Sequence, residues 1–158
     1  MKKTLLLASL LLLGACAGGG QSSGAPSTAA PKATAPAPLV FPMHGVGAAN
    51  QSVSGTVTIL RKADNSGFTI TVDLKGMIPN SVHVSHIHKG SCANNGAIVT
   101  PLPNSVSADA TGHATATNEI ASPYQGTGFY ANVHTGPDLS SAANAAPCAC
   151  GDLADTAT

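Results

Sequence analysis

Histidine is the residue type in this sequence best suited to metal chemistry, and four of the six histidines fall in two short segments. His83, His86 and His88 lie close together in one alternating segment, and His134 ends another. Along a β-strand, residues two apart share a face and lie about 6.6 Å apart at the backbone. His86 and His88 would therefore form a two-point chelate, since imidazole nitrogens bind metal ions at about 2 Å. If the two strands are neighbours, His134 supplies a third nitrogen, and the sequence predicts a metal centre.

The identity of the ion and of any further ligand stays open at this level. Imidazole suits copper and zinc alike, so the ligand type does not choose between them. His44 could add a fourth ligand together with Met43, because a thioether suits Cu(I). The simpler interpretation makes His44 a solvated loop residue, and it makes the other histidines ordinary surface or hydrogen-bonded side chains.

A β framework must position these histidines, and the rest of the sequence predicts one. Apolar residues alternate with polar residues in several short segments, a period typical of half-buried strands. Turn-forming residues separate the segments, and only the Ala-rich residues 140–146 favour a short helical turn. The predicted fold is therefore all-β, an antiparallel sandwich or barrel. The predicted strands are residues 53–59, 68–74, 82–88, 97–102, 112–120 and 128–134.

The first sixteen residues have the features of an export signal. Lys2 and Lys3 precede an apolar run at residues 5–13 that is too short to span a membrane, and small residues lead to Cys16. This ending resembles the lipobox of bacterial lipoproteins, in which the cysteine is acylated and becomes the mature N-terminus. Ala17 after the cysteine is similar to the pattern sorted to the outer membrane. We therefore expect residues 1–16 to direct lipidation of Cys16 and anchor a mature protein facing the periplasm.

Composition divides the remainder into a linker and one domain. Residues 17–38 are nearly all Ala, Gly, Ser, Thr and Pro, which cannot bury enough surface to fold, so a disordered tether is expected. Residues 39–158 are long enough for one domain with one core. The formal net charge is zero and Trp is absent, so neither a nucleic-acid interface nor electrostatic docking to lipid is predicted. The expected partners are the membrane, through the lipid anchor, and a metal ion.

Several motifs, in the right order along the chain, resemble the copper-zinc superoxide dismutase family. Residues 83–92 have the sequence HVSHIHKGSC, which is similar to the family's copper-ligand strand, where H-x-x-H-x-H is followed by a disulfide cysteine. Residues 132–134 are similar to the strand with the last copper histidine, and residues 149–153 are similar to the segment with the partner cysteine. The resemblance spans about residues 52–153 and implies the family's Greek-key β-barrel.

The resemblance also assigns roles to individual histidines. It implies that copper is bound by His86, His88 and His134. It further implies that His83 is a structural histidine bonded to the backbone. Copper is thus the metal that the resemblance favours.

Three cysteines belong to the predicted domain, namely Cys92, Cys148 and Cys150. Export to an oxidising compartment favours one disulfide and one remaining thiol, but the residues alone do not identify the pair. The resemblance implies a bond between Cys92 and Cys150. Cys148 would then be the extra thiol, or it could replace Cys150 as the partner.

Several features of the dismutase family are missing. No histidine lies between His88 and His113 to bridge copper to zinc, and the zinc-binding stretch is absent, so zinc is not expected. No arginine follows Arg61, so a positive field that attracts superoxide is not supported. In lacking these parts the chain also resembles the chordin-type CHRD domains, which share an H-x-H strand and a Y-x-N-V-H-T strand without zinc.

Three functions are compatible with these residues. The first is a membrane-anchored copper-binding lipoprotein that holds periplasmic copper with at most weak superoxide dismutation. The second is an active copper-only superoxide dismutase, in which copper alternates between Cu(II) and Cu(I). The third is a structural or adhesion β-module without a metal. The missing bridge, zinc site and arginine favour the first.

Overall fold

A computed structural model of the chain describes residues 36–156. The predicted signal peptide with Cys16, and nearly all of the predicted linker, lie outside the described residues. No helix within the described range is long and apolar enough to cross a membrane. The strands are β1 (Leu39–Gly45), β2 (Ser54–Arg61), β3 (Phe68–Lys75), β4 (Val82–Ser91), β5 (Asn94–Ser107), β6 (Ala114–Ile120), β7 (Phe129–His134) and β8 (Pro147–Asp152), with a 3-10 turn at Ala48–Asn50 and a helix α1 at Ala142–Ala145.

These strands form one antiparallel sheet in the order β5-β4-β7-β8-β1-β2-β3-β6. Three of the pairings, β4 with β7, β3 with β6 and β1 with β8, join strands that are distant in the sequence. Because β5 and β6, at the two ends of this order, lie next to each other, the sheet curls into a nearly closed barrel. The predicted all-β Greek-key barrel is confirmed.

Alternation of residue types decides which side of each strand lines the barrel. On β3, Phe68, Ile70, Val72 and Leu74 are buried, whereas the polar residues between them are half-buried. Full burial of one such side chain stabilises a protein by about 1.5–3 kcal/mol. A register slip of one residue would turn this whole set toward solvent, so the pattern also specifies the pairing.

β1 is the strand that the sequence prediction missed. Leu39, Phe41 and Met43 face the core, with at most 6% of each residue exposed. Val40 and Pro42 obscure this alternation, because one adds an apolar residue on the outer face and a proline argues against a strand. β1 nevertheless pairs with β2 on one side and with β8 on the other, so it completes the barrel wall.

Two other strands differ from what their local sequence indicates. β5 covers Asn94–Ser107, whereas only residues 97–102 were predicted. β8 was implied by the family resemblance alone. Helix α1 confirms the short helical turn expected in the Ala-rich residues 140–146.

Side chains join the two ends of the strand order across the seam between β5 and β6. The backbone N–H of Asn104 donates to the side-chain oxygen of Asn118 at 2.7 Å. The side-chain amide of Asn104 donates to the carbonyl of Thr117 at 2.6 Å. β5 also contains Pro101 and Pro103, which have no N–H to offer to any neighbouring strand.

Candidate metal centre

Two neighbouring strands position the three predicted ligands. β4 provides His86 and His88, and β7 provides His134. The strands pair so that His86 lies opposite Asn132 and His88 lies opposite Tyr130. Because side chains alternate along a strand, all of these residues project from the face of the sheet opposite the barrel core.

The three imidazoles form one compact group. Their ring centroids lie 5.1 Å apart for His86 and His134, 5.6 Å for His88 and His134, and 5.9 Å for His86 and His88. One nitrogen from each ring lies within 4.8 Å of the other two. Since a bound ion lies about 2 Å from each nitrogen, small side-chain rotations would bring all three into one ligand sphere.

Backbone carbonyls orient two of these rings. Nδ1 of His88 donates to the carbonyl of Gly96 at 3.0 Å, and Nδ1 of His134 donates to the carbonyl of Ala145 at 2.7 Å. A carbonyl only accepts, so the proton is on Nδ1 and Nε2 keeps its lone pair. A ligating imidazole needs this arrangement, because the second hydrogen bond fixes both the tautomer and the ring orientation.

Buried nitrogens without partners mark the centre of the group. Nε2 of His88 and Nδ1 of His86 are both buried, and neither has a hydrogen-bond partner among residues 36–156. Buried polar atoms are nearly always satisfied, so two such nitrogens beside each other indicate a missing ligand. Three neutral imidazoles are a suitable donor set for copper or zinc.

Burial favours the neutral, metal-binding form of two of the rings, His86 and His88. Burial is the largest of the causes that lower the pKa of His86 from 6.5 to about 4, and repulsion by the charged forms of His134 and His88 contributes in the same direction. Burial also lowers the pKa of His88, although its hydrogen bond to Gly96 opposes the shift. Protons therefore compete weakly with a metal ion for these nitrogens.

His83 lies outside this group and supports it from the other face of β4. It is 2% exposed, and its Nδ1 donates to the carbonyl of His134 at 2.8 Å. Its Nε2 lies 2.7 Å from the hydroxyl oxygen of Ser81. The contact to the backbone of His134 is the kind that the resemblance implied for this residue.

The two residues considered as extra ligands are not part of the group. Met43 is fully buried in the barrel core, on the face of β1 that packs against other apolar side chains. His44 is exposed, but it lies in a strand opposite Cys150, so the expectation of a loop residue was wrong. His113 also lies outside the group, half-buried beside Asp73, with Nε2 and Oδ1 3.2 Å apart.

A disulfide joins Cys92 to Cys150, the pairing that the resemblance implied. It connects the end of β4 to β8, and the N–H of Cys92 also donates to the carboxylate of Asp152 at 2.7 Å. Cys148 is buried and is the one free cysteine within residues 36–156. The alternative pairing through Cys148 is therefore wrong.

Sequence analysis missed two side chains beside the imidazoles. The ring of Tyr130 stacks on His88, with centroids 5.0 Å apart. Asn132 is 4% exposed, and its amide nitrogen lies 3.4 Å from Nε2 of His134. Both share a strand face with His134 through the period of two, and both belong to the Y-x-N-V-H-T motif; these two signals could have identified them.

Comparison with known families places this arrangement in context. The sequence model of the CHRD domain matches residues 39–137, which include the three clustered histidines. The chain belongs to the CHRD domain family. The match covers β1 through β7 and includes Cys92, whereas β8 with the partner cysteine Cys150 follows it.

The CHRD domain also has a solved structural neighbour. The Cu/Zn superoxide dismutase from Brucella abortus aligns with a TM-score of 0.53 at 20% sequence identity. The alignment covers 75% of this chain and all of that one. At this identity the likeness establishes a shared fold. No curated protein matches the sequence.

Proposed function

We propose that this CHRD domain holds a copper ion on His86, His88 and His134, as part of a lipoprotein anchored to the outer membrane and facing the periplasm. The observation that supports the copper site most directly is the orientation of the three imidazoles. Their ligand nitrogens converge within 4.8 Å, and two of them are buried without another partner in the described part of the chain.

Copper rather than zinc is favoured by two considerations. His-only donor sets suit both ions, but affinity at such a site generally rises from zinc to copper. The structural neighbour is named for both copper and zinc, whereas a single group of this kind occurs among residues 36–156. We therefore propose a mononuclear copper centre without a zinc partner.

Storage of copper, with at most weak dismutation of superoxide, is the role that the surroundings of the site favour. Bound copper would supply a one-electron redox couple. The segment that holds His134 through Ala145 contains one charged residue, Asp138, whose carboxylate repels anions. No arginine follows Arg61, so nothing in this segment would attract superoxide.

The lipid anchor rests on sequence features. Cys16 follows a charged start, an apolar run and small residues, and residues 17–38 have the composition of a flexible tether. Several acyl chains would be needed for durable attachment, as in bacterial lipoproteins. Replacing Cys16 by Ser should abolish incorporation of labelled fatty acid and release the protein from membranes, and retention of both would contradict the anchor.

Metal titration of the purified full-length protein tests the copper site. We expect one Cu(II) or Cu(I) per chain, with the affinity reduced at least about 100-fold by His88→Ala or His134→Ala, because loss of a ligand should cost more than the roughly 10–100-fold typical of mutating a group that only supports one. His113→Ala is the matched control, because this histidine lies beside Asp73 and outside the cluster. It should bind copper like the wild type.

The same samples distinguish the roles considered above. Superoxide decay no faster than that caused by the metal-free protein supports storage. Rapid decay that is lost in both cluster variants would instead establish a copper-only superoxide dismutase. Absence of saturable copper binding would contradict both and leave a structural or adhesion module.

A further inference from the structure

Asn132 is an amide side chain that lies among the clustered histidines. It precedes His134 by two residues on β7, so both project from the same face of the strand. On the neighbouring strand it lies directly opposite His86. Only 4% of the residue is exposed, so the amide forms part of the inner wall of the site.

The amide of Asn132 is poorly satisfied in this position. Its N–H group donates to Nε2 of His134 over 3.4 Å, which is long for such a bond. Its oxygen is buried and has no hydrogen-bond partner among the described residues. Buried polar atoms are nearly always paired, so this unpaired amide oxygen points to a ligand as its partner.

The position of a second unsatisfied buried group shows which of the two lies beside the histidines. The hydroxyl of Ser85 is also buried without a partner in the described part of the chain. Ser85 lies on β4 between two residues that face outward, so its side chain points toward the barrel core, away from His86. Asn132 is therefore the unsatisfied group other than imidazole that lies on the metal-binding face.

Metal binding would change which atom of the amide fits best. Nε2 of His134 uses its lone pair when it binds an ion, and the N–H group of Asn132 then loses its acceptor. Rotation of the amide by half a turn exchanges its nitrogen and oxygen, which have nearly the same shape. The oxygen would then face the ion, and carbonyl oxygens are suitable donors for divalent cations.

We propose that Asn132 supplies a fourth donor, its side-chain oxygen, to the metal held by the three histidines. This inference rests on the proposed copper site and concerns its selectivity between Cu(II) and Cu(I). An amide oxygen is a harder donor than imidazole, so it favours Cu(II) over Cu(I). Asn132 thereby sets the preference of the site between the two oxidation states.

Paired affinity measurements on the full-length protein test this role. Asn132→Leu retains the approximate size of the side chain and removes the oxygen. We expect it to weaken Cu(II) binding about tenfold and to leave Cu(I) binding within about twofold. A tenfold fall in the ratio of the Cu(II) affinity to the Cu(I) affinity raises the reduction potential of the bound copper by about 59 mV. The Cu(II) electron paramagnetic resonance spectrum should change as the oxygen donor is lost.

Asn132→Asp provides an independent variant if the leucine variant folds poorly. Its carboxylate keeps an oxygen and adds a charge, so Cu(II) binding should become tighter relative to Cu(I) binding. Asn118→Leu is the matched control, because Asn118 is another buried asparagine but bonds to Asn104 across the β5–β6 seam. Its loss should lower stability without changing the affinity ratio.

The outcomes separate this inference from the function on which it rests. A ratio and spectrum unchanged in both Asn132 variants, with copper bound normally by the wild type, would overturn the donor role alone. Equal weakening of Cu(I) and Cu(II) binding would also overturn it, because that result indicates a purely structural residue. Failure of the wild type to bind copper would overturn both.

Discussion

At the residue scale, the site depends on backbone carbonyls as much as on side chains. The carbonyls of Gly96 and Ala145 each accept a hydrogen bond from a histidine and so turn the opposite ring nitrogen toward the centre. A Cβ at Gly96 would collide with the carbonyl oxygen of Lys89. The carbonyl of Gly96 is therefore positioned by a close approach of two backbone segments that glycine allows. No sequence pattern reports such contacts, because any residue type has a carbonyl.

The lowered pKa values of the histidines predict how the metal-free domain responds to acid. The pKa of His86 is about 4 in the folded chain and 6.5 in the unfolded chain, and that of His88 is also lowered. Between these values the unfolded chain binds more protons than the folded chain, so acid favours unfolding. The free energy of unfolding should therefore fall as pH decreases from about 6.5 toward about 4.

Urea denaturation at several pH values, in the presence of a chelator, measures how steeply the free energy of unfolding depends on pH. His86→Ala should flatten this dependence, whereas His113→Ala should not, and the comparison between variants cancels the titration of the carboxylates. Identical slopes for wild type and His86→Ala would show that the ring is not held neutral by burial.

At the element scale, the predicted strands were those with clean alternation. Residues 68–74 fall inside β3 with their apolar residues buried, and residues 82–88 fall inside β4 with His86 and His88 on one face, as predicted. β8 has small residues and cysteines in place of β-branched ones, so its strand character comes from tertiary pairing with β7 and β1. Local pattern therefore identifies strands that are amphipathic, and not strands that are defined by their neighbours.

Substitutions in β1 test whether this missed strand is essential to the barrel. Phe41 is 1% exposed, and Phe41→Ala should lower the free energy of unfolding by about 3–5 kcal/mol through loss of buried surface and formation of a cavity. Val40 precedes it on the outer face, with 42% exposed, and Val40→Ala should change stability by no more than about 0.5 kcal/mol. Equal effects in chemical denaturation would show that β1 is not packed in solution.

At the scale of the whole molecule, the decisive step was beyond local sequence reasoning. The pair His86 and His88 follows from the period of a single strand. The addition of His134 requires β4 and β7 to be neighbours, although β5 and β6 lie between them in the sequence. That pairing is a property of the topology, and only the family resemblance anticipated it.

The disulfide constrains a large part of this topology. Cys92 and Cys150 are 58 residues apart, and closing a loop of that length stabilises the folded state by about 4 kcal/mol in the chain-entropy model. Replacing both by Ser should lower the free energy of unfolding by about this amount, as measured by urea denaturation. Cys148→Ala is the control, since it removes a buried thiol that closes no loop, and a loss as large as that of the double variant would contradict the entropic explanation.

The seam between β5 and β6 has a consequence for how the molecules behave toward one another. An exposed sheet margin with a continuous row of N–H groups is a template for fibril growth. Pro101 and Pro103 interrupt that row, and the amides of Asn104 and Asn118 occupy part of the remaining hydrogen-bonding capacity. The barrel can therefore remain incompletely closed without its molecules pairing edge to edge at high protein concentration.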